Sequence, residues 1–248
     1  MLILVSNDDG VGSPGILALA STLSKIPKAK VVIVAPDREQ SATSHALTLQ
    51  RPLRIHKVRE NCYSVDGTPT DAVMLAVNSI LKKKPDIVVS GINNGANLGE
   101  DVHYSGTVAA AMEGAIMGIP AVAVSLVARS DFYFKTAQFY ARKIVQGVLK
   151  YGIPAGTALN VNVPNLPLKQ IKGVAFTRQG RHSYGGVIFK KSDPRGQPYY
   201  WIGGESNPLE ETLGTDCRAY LDKKVSVTPI KVDLTEYNLL EKMHQWKF

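Results

Sequence analysis

Leu2-Ile3-Leu4-Val5-Ser6-Asn7-Asp8-Asp9-Gly10 carries four apolar residues into a polar turn that opens on two adjacent carboxylates. An unbroken apolar run closed by turn residues reads as a strand buried on both faces, the habit of parallel sheets. In open α/β sheets ligands bind beyond the carboxyl ends of the strands, so Asp8 and Asp9 stand where chemistry is done. Like charges side by side repel, and at an all-oxygen site a hard divalent cation is the usual compensation. The stretch therefore predicts a metal site at the end of a first parallel strand.

Working outward, strand and helix patterns alternate through the first 150 or so residues. A helix is expected from about Gly15 to Lys25, a strand over Lys30–Ala35, and an antiparallel pair over Leu53–Lys57 and Asn61–Val65. Thr68-Pro69-Thr70-Asp71 has the form of a capped helix start, with Thr as N-cap, Pro first and Asp third, opening a helix through about Leu81. Asp86–Ser90 reads as another buried strand running into the polar loop Gly91–Gly99. Helices over Thr107–Met117 and Phe134–Lys150, with strands over Ala121–Leu126 and Leu159–Val163, complete a doubly wound, mostly parallel α/β sheet.

The same N-terminal stretch contains a competing motif. Gly10-Val11-Gly12-Ser13-Pro14-Gly15 matches G-x-G-x-x-G between a strand and a helix, and Asp37 stands about where a ribose-binding acid would follow. The alternative reading is a dinucleotide (NAD-type) binding module using Gly10, Gly12 and Gly15. Two carboxylates directly before the first glycine oppose it, because they would face a bound pyrophosphate, and Pro14 removes a backbone donor there.

Three loops emerge on the same sheet edge and bring together Asp8-Asp9, the segment Asp37–His45, and Asn93–Asn97. Carboxylate, hydroxyl and carboxamide oxygens suit Mg²⁺ or Mn²⁺ rather than Zn²⁺. His45 and His103 read as solvated or supporting side chains. Ser105-Gly106-Thr107 at a helix start offers a cradle for a phosphoryl group, with a plain N-cap as the bland alternative.

Composition narrows the class. The 248 residues carry a formal charge of +8 from scattered Lys and Arg, which favours a small phosphorylated ligand over stable nucleic-acid binding. Cys62 and Cys217 are far apart and read as reduced, buried thiols. No apolar stretch approaches a membrane span and no leader pattern opens the sequence, so a cytoplasmic protein without membrane partners is expected.

Beyond about residue 165 the texture changes. Gly, Pro, Ser and Tyr crowd the region from Arg178 to Thr215. Short strands at Val187–Lys190 and Tyr199–Ile202 suggest a protruding hairpin, about 181–204, with Tyr184, Tyr199, Tyr200 and Trp201. It reads as an oligomerisation element, with a flap over the active site as the alternative. A strand at Lys223–Pro229 and a closing helix at Thr235–Trp246 end the chain. The expected organisation is a catalytic core over 1–165 and an extension over 166–248, in one continuous domain.

Five ordered motifs resemble the SurE family of survival-protein nucleotidases. They are Asn7-Asp8-Asp9-Gly10; Ala35-Pro36-Asp37-Arg38 through Ser41 to Leu47-Thr48; Gly67-Thr68-Pro69-Thr70-Asp71; Ser90-Gly91-Ile92-Asn93 to Asn97-Leu98-Gly99; and Tyr104-Ser105-Gly106-Thr107-Val108. Thr215-Asp216 and Val225-Ser226-Val227-Thr228-Pro229 extend the likeness. The resemblance implies a Rossmann-like fold with a C-terminal arm used in homodimers or homotetramers. It also implies a metal-dependent phosphomonoesterase that hydrolyses nucleoside 5′- and 3′-monophosphates, with exopolyphosphatase activity on short polyphosphate in some members. One divalent ion per subunit is implied, with Asp8, Asp9, Ser41 and Asn93 as ligands, and a phosphate-binding set of Asn97, Ser105, Gly106 and Thr107 is expected beside it. Ala42 stands where many members have Gly, and Asn94-Gly95-Ala96 lacks a Pro often found before Asn97.

Overall fold

The computed structural model describes residues 1–128, 130–182, 188–202 and 209–247. Its first strand, β1 (Leu2–Ser6), is buried along its whole length, as an unbroken apolar run requires of a central strand. β2 (Lys30–Pro36) and β5 (Ile87–Asn94) flank it in parallel, and β4 (Cys62–Val65) extends the sheet beyond β2. β3 (Ile55–Arg59) closes that edge antiparallel to β4. On the other side follow β6 (Ala121–Val127) and β7 (Thr157–Pro164), both parallel. β11 (Val225–Lys231) then runs antiparallel to β7, and β8 (Val174–Phe176) pairs in parallel with β11. The nine strands lie in the order β3-β4-β2-β1-β5-β6-β7-β11-β8.

Helices cover both faces, so the sheet is doubly wound as expected. α1 (Pro14–Leu23) and α4 (Phe134–Tyr151) cover one face, where Ile16, Leu19, Tyr140 and Val145 meet Ile3, Val5, Val89 and Val124. α2 (Pro69–Leu75) and α3 (Gly106–Ile116) cover the other, over Leu4, Val34 and Val88. Each such aliphatic side chain contributes about 1.5–3 kcal/mol on full burial. Gly114 lets α3 approach closely: a Cβ there would lie 2.8 Å from Val88 Cγ2.

The chain winds from β1 out through β2 and β4, then returns to place β5 on the opposite side of β1. The carboxyl ends of β1 and β5 thus form the topological switch point, the usual ligand crevice of such sheets.

Several elements depart from expectation. The helix after Thr68 becomes π-helical over Ala76–Ile80. β5 does not stop at Ser90: it passes a bulge and pairs Asn93 and Asn94 with Ser125 and Leu126 of β6. β8 and α5 (Asp216–Leu221) flank the stretch from Arg178 to Thr215, at positions where no element was expected. The hairpin is present as β9 (Ile188–Ser192) and β10 (Pro198–Ile202), every residue exposed; Tyr184 and Val187 lie outside the described residues. α6 (Tyr237–Met243) is shorter than the expected closing helix and buries no residue, with Leu234, Tyr237 and Trp246 exposed.

Candidate active site

The site is assembled at the switch point from four chain segments. The turn after β1 delivers Asp8 and Asp9. Asp8 is buried and its main-chain carbonyl accepts from Gln40 N at 2.7 Å, which places the Glu39–Ser41 turn beside it. Asp9 is half-buried and its Oδ2 accepts from Asn94 N at 3.3 Å, bridging β1 and β5. Asn93 stands next to that bridge, its Nδ2 donating to Gly95 O at 3.1 Å, so its amide is aimed by a strand and a turn rather than by a mobile loop.

The start of α3 grips Asp8. Thr107 Oγ1 donates to Asp8 Oδ1, and the Thr107 N–H also stabilises that carboxylate. Gly106 allows the approach: a Cβ there would lie 2.8 Å from Asp8 Cβ and 3.0 Å from Asp8 Oδ2. Ser105 acts as the N-cap, its Oγ accepting from Val108 N at 3.0 Å. The hydroxyls of the expected phosphate cradle are therefore engaged within the protein, one capping the helix and one holding a carboxylate. Asn97 is likewise engaged. Its Nδ2 donates to Ser125 Oγ at 2.7 Å, and its carbonyl accepts from Asn160 and Asn162, so it braces the loop onto β6 and β7. The group with which Asn97 would donate to a phosphate oxygen points to Ser125.

The surroundings of the Asp8 and Asp9 carboxylate pair oppose its charge. Burial pushes the Asp8 carboxyl above the usual carboxylate range against the Thr107 hydrogen bonds. Burial, and then the charge of Asp8, push Asp9 up to about 6. Among the described residues neither carboxylate is ion-paired. Glu39, absent from the sequence reading, adds a third negative charge felt by both, and Ser41 Oγ donates to its Oε1 at 2.7 Å. Among the described residues no three His, Cys, Asp or Glu side chains gather as a metal cluster. The donors here are two carboxylates completed by hydroxyl and carboxamide oxygens, a set that fits a hard ion such as Mg²⁺ or Mn²⁺.

The surrounding loops are pinned rather than free. Thr68 and Asp71 form the expected capping box, and Asp71 Oδ1 also accepts from Thr48 N at 3.0 Å. His45 Nε2 lies 2.9 Å from the buried carboxylate of Glu113 on α3, while His103 is exposed. Ala42 has φ +56°, in the left-handed region where Gly is comfortable and a side chain is strained. Asp216, at the start of α5, accepts from Gly99 N, Gly180 N and Cys217 N at 3.1, 2.7 and 2.8 Å. It staples the base of the arm to the loop leading into Ser105. A Thr-Asp pair ahead of a helix is the sequence signal for such a cap, but its long-range partners leave no local trace.

The glycine motif proves to serve packing. A Cβ on Gly15 would lie 2.0 Å from Ile92 O, so that glycine lets α1 cross the bulged end of β5. Gly10 has φ +95° and faces the Arg38 backbone, whereas a Cβ on Gly12 would meet nothing. Asn7 Nδ2 fills the loop by donating to Gly10 O and Ser13 Oγ at 3.0 and 2.8 Å. The dinucleotide alternative finds no support in this geometry.

Residues 3–186 match the family described as survival protein SurE. The chain belongs to the SurE family. Among SurE relatives, the 5′-nucleotidase SurE of Geotalea daltonii is 53% identical over 249 residues, covering 100% of this chain and 99% of that one. The 5′-nucleotidase SurE of Myxococcus xanthus is 52% identical over 247 residues, covering 99% and 93%. The crystal structure of the SurE protein from Aquifex aeolicus matches with a TM-score of 0.88 at 46% identity, covering 98% of each chain. The doubly wound fold is thus shared over 98% of the chain, and the dinucleotide reading is not supported by these relatives.

Proposed function

We propose that the chain is a divalent-metal-dependent nucleotidase that releases phosphate from nucleoside monophosphates. The observation that carries this reading is the pair Asp8 and Asp9, crowded at the switch point with, among the described residues, no ion pair to compensate them. The names of its full-length relatives support the same reaction class. The ion would be held by Asp8, Asp9, Ser41 and Asn93, one per subunit, as Mg²⁺ or Mn²⁺. Bound there, it supplies Lewis-acid polarisation of the phosphoryl group and lowers the pKa of its water.

The protein's own groups do the positioning. Thr107 fixes the Asp8 carboxylate and favours its ionised form. The Asn94 N–H does the same for Asp9 and ties it to β5. Gly106 brings the positive end of α3 against Asp8, so an anionic phosphoryl group meets that helix end as well as the ion. Ser105, Gly106 and Thr107 form the phosphate side of the site, with Asn97 bracing the loop beneath.

Hydrolysis of 3′-monophosphates and of short polyphosphate belongs to the same proposal, since both present a terminal phosphoryl group. So does a homodimer or homotetramer built through the arm, whose aromatic faces are exposed in the single chain. The free, buried thiols Cys62 and Cys217 support a reducing compartment, the cytoplasm. Among the described residues no helix is long and apolar enough to cross a membrane.

The test is phosphate release from a panel of 5′- and 3′-nucleotides and tripolyphosphate, with EDTA and after adding back Mg²⁺ or Mn²⁺. Chelator-sensitive release from nucleotides supports the reading. Full activity in excess EDTA, or no release from any nucleotide, sinks it.

A further inference from the structure

A concavity lies at the edge of the sheet opposite the candidate active site. At the amino ends of β1, β2 and β4 the chain encloses a cleft of about 510 Å³, within the range of about 300–1,000 Å³ that holds small ligands. It is separate from the catalytic edge. Leu2 lies in the cleft and Ser6 at the other end of β1, five residues in all, on the order of 15 Å at the usual rise per strand residue.

Its lining is divided by chemistry. Lys28, Lys30, Lys82 and Lys83 supply the charge, and all four are exposed. Among the described residues none of them is in an ion pair. Asp86, the carboxylate beside this edge, is engaged by the Leu2 N–H at 2.6 Å. Leu2, Val32, Tyr63, Ile80 and Leu81 supply an apolar floor. Four ammonium groups around one hollow repel each other and focus a positive potential into it, so an anion is the complementary occupant. A chain of phosphoryl groups matches four separated lysines better than a single phosphate does. The floor, with its tyrosine ring, suits a flat heterocycle on the same molecule.

We propose that this cleft is a second, non-catalytic site for a nucleoside polyphosphate, with the phosphates on Lys28, Lys30, Lys82 and Lys83 and the base against Tyr63. The test is calorimetric titration of the full chain in EDTA with ATP, inorganic tripolyphosphate and adenosine. The same ligands are titrated into Lys82→Glu/Lys83→Glu and into Lys169→Glu/Lys172→Glu, an equal charge change at exposed lysines elsewhere. The expected result is that ATP binds more tightly than tripolyphosphate, that adenosine alone binds at least tenfold more weakly than ATP, and that only the cleft double variant loses at least tenfold in ATP affinity. Hydrolysis of p-nitrophenyl phosphate with Mn²⁺ is expected to be unchanged in both variants, which separates this site from the proposed active site. Absence of ATP binding, equal weakening in the two variants, or tripolyphosphate binding as tightly as ATP would each overturn the assignment.

Discussion

Asp8 and Asp9 are held in an arrangement that opposes their own ionisation, and that conflict is measurable. Replacing either by Asn is expected to lower nucleotide hydrolysis by at least about 100-fold, because both ion affinity and transition-state charge stabilisation are weakened. Asp9→Asn is expected to keep or raise the melting temperature of the metal-free protein, since the Asp8 repulsion is relieved. Near-parental hydrolysis by Asp9→Asn at saturating Mn²⁺ would remove it from the ligand set. The pH dependence follows from the same shift. Asp9 is pushed up to about 6, mainly by burial, so between about pH 4 and 6 the folded chain keeps a proton that the unfolded chain has released. Stability of the metal-free protein should therefore fall as pH rises through that window and level off above it. Asp8 and Asp101, also raised by burial, act in the same sense. Urea midpoints at pH 5 and pH 7 check this, with Asp9→Asn expected to show the smaller difference. The two carboxylates were legible because they follow an apolar strand directly. Glu39 was not, since nothing local tells that the turn after β2 folds back until Gln40 N meets Asp8 O.

At the scale of elements, the crossing of α1 over β5 makes the sharpest prediction. Gly15→Ala would drive a methyl group into the Ile92 carbonyl, 2.0 Å away, and so displace either α1 or the strand that carries Asn93. A loss of about 1–3 kcal/mol in unfolding free energy is expected, together with reduced activity. Gly12→Ala, with open space around it, should leave both near parental values. Equal effects of the two in thermal melts and phosphate release would refute the packing account. The apolar runs of β1, β2, β5 and β6 were readable because strands buried on both faces leave an unambiguous pattern. The extension of β5 past Gly91 was not, because a bulge and a glycine look like the end of a strand. β8 was invisible for another reason: three residues are too few to show a period.

For the whole molecule, exposed apolar surface is concentrated at the C-terminal side. Phe189, Tyr200, Trp201 and Ile202 on the arm, and Leu234, Tyr237 and Trp246 around α6, all lie exposed in the single chain. A two-stranded hairpin is marginal alone in water, so a partner surface is expected to cover it. Light scattering should give a dimer or tetramer for the parent and a smaller mass for Phe189→Ser/Tyr200→Ser/Trp201→Ser. A parent that runs as a monomer, or a triple variant of unchanged mass, would exclude the arm as the interface. Composition announced this surface, but the helix expected to close the fold lies open, because an amphipathic pattern does not say which chain its apolar face will meet.

The position of β11 between β7 and β8 also sets a timetable for synthesis. β8 leaves the ribosome roughly fifty residues before β11, its partner strand among the described residues, and β7 waits with an open edge for the same segment. At translation speeds of about 5–20 residues per second, the nascent chain shows two unpaired strand edges for on the order of several seconds. A chain cut short before Val225 would keep them permanently, so C-terminal truncation should yield aggregation-prone protein, whereas shortening the arm tip leaves the sheet free to close.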